Sequence, residues 1–113
     1  MSKLPFSRYK KVGNLIFTSG QIHLKEGELV GETVGEKTKQ VMENLKEILS
    51  EAGTSLENVV KATVYVIDME MYEEFNEEYV KYFKDSFPAR EVVCVKGLPL
   101  SASIEISMIA EKE

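Results

Sequence analysis

From Val60 to Val66 apolar and polar side chains alternate, with Val60, Ala62, Val64 and Val66 on one side and Lys61, Thr63 and Tyr65 on the other. A period of two predicts a β-strand, here over 59–68, with one face against a core. Asp68 is placed to cap a following helix. In that helix Tyr72, Phe75, Tyr79 and Phe83 fall at steps of three and four, the spacing of a core-packing stripe, and Asn76 sits on its flank. A longer helix is predicted upstream. Val34, Thr38, Val41, Leu45, Ile48 and Ala52 recur at steps of four and three. Thr33-Val34-Gly35-Glu36 reads as a capping box, and Gly53 suits a left-handed stop.

The remaining segments read as strands. Residues 8–12 and 14–22 flank a Gly13-Asn14 turn, and Ser19-Gly20-Gln21 closes the second strand. Residues 25–31 form a polar loop. After Pro88 comes a strand in which Arg90, Val92 and Cys94 share a face. The chain turns at 97–99 and ends in a strand over 102–110, where Ile104, Ile106 and Met108 are apolar and Glu105 points the other way. The order β-β-α-β-α-β-β predicts a two-layer α+β sandwich, a mixed sheet with both helices on one face. The free face is expected to be partly apolar (Leu15 or Ile16, Val92, Cys94). Association into a closed oligomer would cover it and withdraw Arg90 and Glu105 from bulk water.

The chain has 113 residues, 43% hydrophobic and 29% charged, which suits one folded domain spanning 1–113. A net charge of −5 argues against nucleic acid as a partner, although Lys3, Arg8, Lys10 and Lys11 gather near the start. Cys94 is the only cysteine, so no internal disulfide forms, and one cysteine with one histidine, His23, gives no metal-ligand spacing. No apolar run approaches membrane-spanning length. The expectation is a soluble cytoplasmic protein without a membrane partner.

Arg90 and Glu105 carry the candidate chemistry, and their spacing supports two readings. They are a solvated surface pair worth about 0–1 kcal/mol. Or they form a site in which Arg90 grips an anion and Glu105 moves protons.

Four stretches bear on that choice. They are Val12-Gly13-Asn14-Leu15-Ile16-Phe17-Thr18-Ser19-Gly20-Gln21-Ile22, Gln40-Val41-Met42-Glu43-Asn44-Leu45-Lys46, Phe87-Pro88-Ala89-Arg90, and Leu98-Pro99 followed by Ile104-Glu105-Ile106. In this order and spacing the chain resembles the RidA/YjgF family of enamine/imine deaminases along nearly its whole length. The resemblance implies a chorismate-mutase-like subunit and a homotrimer with sites in the clefts between subunits. It implies a reaction without cofactor or metal, in which 2-iminobutanoate and 2-iminopropanoate are hydrolysed to 2-keto acids and ammonia. Their precursors are the enamines released by pyridoxal-phosphate dehydratases acting on threonine and serine, which sets a functional link to those enzymes.

Position by position, the resemblance makes Arg90 the ligand of the substrate carboxylate and Glu105 the group that activates water. Ser19 and Gly20 line the pocket, Val92 offers backbone contacts and Asn76 lies near it. Phe6 stands where the family usually has tyrosine, and Leu4 replaces a glycine. A phenyl ring walls a pocket but cannot hydrogen-bond within it. Glu91 follows Arg90 where a small serine is common, and would compete with substrate if it reached the guanidinium. A non-catalytic ligand-binding or regulatory trimer, motivated by Phe6, and an RNA-directed role are the alternative readings.

Overall fold

The computed structural model describes residues 4–113, which leaves Lys3 of the basic N-terminal group outside it. The elements are β1 (Tyr9–Val12), β2 (Leu15–Thr18), β3 (Gln21–Ile22), β4 (Leu24–Lys25), β5 (Glu28–Leu29), α1 (Val34–Ala52), β6 (Val59–Val66), α2 (Tyr72–Tyr79), β7 (Ala89–Cys94) and β8 (Ile104–Glu111). The main sheet runs β1-β2-β8-β6-β7, with β3 also paired to β8. Only β6 and β7 are parallel; the other pairs are antiparallel. Val41, Met42, Leu45 and Leu49 of α1 and Phe75 and Tyr79 of α2 share one buried core with Ile16, Ala62, Val64, Ile104, Ile106 and Met108. The two-layer α+β architecture, mixed sheet and one-sided helices are therefore as the hydrophobic pattern predicts.

Local chemistry explains the best-defined element. Both arms of the capping box close: the Glu36 amide donates to Thr33 Oγ1 (3.0 Å), and the Thr33 and Glu32 amides donate to Glu36 Oε1 (3.3 and 2.8 Å). Those backbone donors hold the Glu36 carboxyl below its usual pKa. The helix stops at Gly53, whose φ of 91° places it in the left-handed region.

Five features depart from the sequence reading. The 14–22 strand breaks at Ser19–Gly20, where Thr18 Oγ1 accepts from the Met108 amide (2.9 Å) and takes a place in the ladder. The 25–31 loop contributes to a small hairpin, β4–β5, whose central residues Glu26 and Gly27 both have positive φ, as tight hairpin turns require. Val60 is 40% exposed because the β6–β8 register shifts between Val59 and Lys61, and the bulge puts Val59 into the core instead. The connection into β8 extends beyond the expected 97–99 turn, with left-handed backbone at Leu100 and Ser101.

The fifth departure concerns β7. Arg90 is in register with buried Ala62, and Val92 with buried Val64, so this strand turns Arg90 and Val92 toward the helix layer. Val92 packs on the core. The free sheet face instead carries Leu15, Phe17, Val93 and Ile109, while Cys94 is exposed at the strand end. Ile16 belongs to the core. No helix among the described residues is long and apolar enough to cross a membrane.

Candidate active site

The seven residues singled out above fall into two groups on different parts of the sheet. The first surrounds Glu105. Ile104 and Ile106 are fully buried on the helix side, so alternation turns Glu105 to the opposite face, where it pairs with Tyr65 of β6 and with Ile22 of β3. Its carboxylate lies across Gly20: a Cβ at position 20 would stand 2.7 Å from Glu105 Cδ, so any larger residue would push the carboxylate aside. Burial pushes the Glu105 carboxyl above its usual pKa. Ser19 binds the N-terminal segment, donating from its amide to the Arg8 carbonyl (2.9 Å) and from Oγ to the Ser7 carbonyl (2.5 Å). Phe6 is next in the chain to that clamp, and its ring is 54% exposed.

The second group surrounds Arg90. Its guanidinium carbon lies 4.9 Å from the Tyr79 ring centre and 5.7 Å from those of Tyr72 and Phe75. Three rings on one side of α2 thus form a cation–π bed. Arg90 Nη2 donates to the Tyr72 hydroxyl (3.3 Å), and among the described residues no carboxylate pairs with it. Two polar atoms of α2, Asn76 Oδ1 and the Tyr79 hydroxyl, are buried without a partner among the described residues. Burial raises the Tyr79 pKa to about 12, against the opposing pull of Arg90. Glu91 points to the other face and bonds Lys61 (2.9 Å), so it does not compete for Arg90.

The two groups do not meet within one chain. Arg90 faces the helices and Glu105 the free face, with β6 between their strands. Nor does either group line two sizeable surface grooves found among the described residues. One, of 680 Å³, lies between the end of α1 and residues 81–86; the other, of 1130 Å³, lies between β4 and α1.

Sequence reasoning missed two contributors. Tyr72 reads as core from its spacing, yet it is 38% exposed at the rim beside Arg90. His23 carries no periodic signal, but it is buried and bridges two segments. Its Nε2 accepts from the Ser103 amide (3.0 Å), which forces the proton onto Nδ1, and Nδ1 donates to the Val30 carbonyl (3.0 Å). This pins the connection entering β8 two residues before Glu105. Burial, helped by Lys37, holds His23 below its usual pKa despite the Val30 bond. Among the described residues no three acidic, His or Cys groups gather as a metal site would require.

Known proteins share this arrangement of chain. A family model described as endoribonuclease L-PSP matches residues 1–112. The RutC family protein of Pyrococcus abyssi is 49% identical over 111 residues, covering 96% of this chain and 87% of the relative. RidA from an Antarctic Psychrobacter is 34% identical with a TM-score of 0.92, over 98% of this chain and 91% of that one. Escherichia coli TdcF, solved with bound serine, is 31% identical with a TM-score of 0.92, over 99% and 91%. The chain belongs to the endoribonuclease L-PSP family, which is the family of the YjgF and RidA proteins.

Proposed function

We propose that the protein is an enamine/imine deaminase, hydrolysing 2-iminobutanoate and 2-iminopropanoate to 2-keto acids and ammonia. The observation that carries this reading is the Arg90 guanidinium, held among three rings with no carboxylate partner among the described residues. A planar carboxylate meets such a fork with two parallel bonds, which fixes the adjacent imine carbon in orientation. E. coli TdcF with bound serine, a ligand with a carboxylate beside a carbon bearing nitrogen, supports the same ligand class.

Glu105 supplies the base. Water adds to the iminium carbon as the C=N π pair moves to nitrogen, and Glu105 takes the water proton. The protonated Glu105 then returns its proton to the amine nitrogen. Ammonia leaves with the C–N electron pair while the hydroxyl oxygen forms the carbonyl and releases its proton to Glu105. The desolvated carboxyl, with its pKa raised, is suited to both directions of transfer. General acid–base assistance contributes roughly 10²–10⁴-fold, enough for a reaction that is already facile in water. No cofactor is invoked; the substrates come from dehydratases that release enamines from serine and threonine.

The two half-sites belong to one reaction only if a second copy of the chain brings its Arg90 group against the first copy's Glu105 group. The apolar free face supports closed assembly, and a homotrimer with three sites between subunits satisfies all three copies alike. A second reading rests on Phe6, a ring without a hydroxyl next in the chain to the Ser7 carbonyl that Ser19 binds: a trimer that binds such anions without turnover.

The deciding experiment couples threonine dehydratase to the protein, with semicarbazide trapping unhydrolysed imine. Wild type is expected to accelerate 2-oxobutanoate release and Arg90→Ala to lose that acceleration. Binding of 2-oxobutanoate without acceleration would replace catalysis with the binding reading.

A further inference from the structure

Resting on that reading of the Arg90 half-site, we infer that Tyr72 is a positioning residue for the substrate carboxylate, acting through Arg90. An arginine side chain can only donate, so the 3.3 Å bond from Arg90 Nη2 has the Tyr72 oxygen as acceptor. The bond therefore occupies one N–H and fixes the rotation of the guanidinium about its last torsions. The rings of Tyr72, Phe75 and Tyr79 crowd it at 4.9 to 5.7 Å from their centres. Together they restrict how the remaining N–H groups can be presented to a ligand.

The division of labour among the three rings follows from their burial. Phe75 and Tyr79 are sealed in the core and hold the cation whatever binds. Tyr72 opens α2, stands at the rim, and is the one ring of the three whose hydroxyl touches the guanidinium. Removing that oxygen leaves the bed intact and frees the fork to turn. The ligand class it serves is a small planar carboxylate, for which orientation decides whether one bond or two form.

The test uses Tyr72→Phe in the whole assembled protein, with 2-oxobutanoate as the probe in titration calorimetry and the coupled assay beside it. The expected result is a weakening of 2-oxobutanoate binding by about fivefold, with KM raised alike, kcat lowered as well because the imine carbon is held less firmly, and the melting temperature unmoved. A purely structural residue would not separate binding from melting in this way. A double-mutant cycle completes the test: in an Arg90→Lys background, where no fork exists to orient, Tyr72→Phe should have no further effect. If wild type binds 2-oxobutanoate and Tyr72→Phe binds it as tightly, or if the effect persists in Arg90→Lys, the role of Tyr72 is overturned while the deaminase reading stands. If wild type binds no 2-oxobutanoate, both fall together.

Discussion

Arg90 and Glu105 stand on opposite faces of the same sheet, separated by β6 and displaced along it. Glu105 is level with Tyr65 and Arg90 with Ala62, which places their Cα atoms about 10 Å apart across the strands and about 10 Å apart along them. Neither side chain can turn round its strand to meet the other. The relationship makes a prediction that no single-chain site would share. Arg90→Ala and Glu105→Gln should each be inactive alone. Unfolded together in equal amounts and refolded, they should regain about one quarter of wild-type activity, because random assembly joins an intact Arg90 to an intact Glu105 at that frequency. A mixture as dead as its components, despite shown exchange of subunits, would exclude a shared site.

Gly20 makes room for the Glu105 carboxylate. Gly20→Ala is expected to lower kcat/KM by more than about tenfold, the order of a displaced acid–base group. The melting temperature should change little, since what the new methyl meets is the end of a flexible side chain. Equal losses in stability and activity would mean that position 20 serves the fold alone.

The raised Glu105 pKa has its own signature. The proposed reaction needs the carboxylate, so kcat/KM should fall as pH drops through a value above the ordinary 4.5, and Glu105→Gln should lose that limb of the profile. An acid limb at or below 4.5 would contradict the desolvated placement.

His23 makes stability depend on pH in a definite direction. Its folded pKa is lowered from 6.5, so the folded state resists a proton that the unfolded chain accepts. The stabilisation is full above pH 6.5 and is lost as pH falls below it toward the folded value. Glu105, with a raised pKa, contributes the opposite slope, so the two are separated by substitution. Denaturant unfolding from pH 7.5 to 5.5 should show wild type weakening more steeply than His23→Asn. Parallel slopes would remove His23 as the source.

The free sheet face pairs Phe17 with Ile109 across β2 and β8. Phe17→Glu is expected to leave the helices folded by circular dichroism but to yield monomers in sedimentation, with activity gone. A charged residue there without any change in mass or activity would mean the assembly uses another surface.

The contrast between α1 and β7 explains what could be read in advance. In α1 the cap, the apolar stripe and the terminal glycine are all local, and each agrees with the others. In β7 the run Arg90-Glu91-Val92-Val93-Cys94 alternates weakly, so either phase is plausible, and only its pairing with Ala62 and Val64 selects one. That choice moved Arg90 to the helix side and exposed its contact with Tyr72. The bulge at Val60 and the positive φ at Glu26 arise from pairing and turn geometry in the same way. His23 was illegible because both its partners are backbone groups, one across a loop at Val30 and the other far along the chain at Ser103. The site residues were gathered by resemblance rather than by periodicity, and a resemblance carries no statement of which residues share a chain's own pocket.

The sheet order has one more consequence. β8, which carries Glu105, is held by β2 and β3 on one side and β6 on the other, whereas β7 has a single strand neighbour and ends the sheet. On the proposed reading, proton chemistry is thus anchored where the backbone is least free to shift, and anion recognition sits on the border. Substitutions on β7 and the exposed side of α2 would then retune which acid is held without disturbing the base. A fold arranged this way can diversify its ligands by editing its margin while its reactive centre stays inherited.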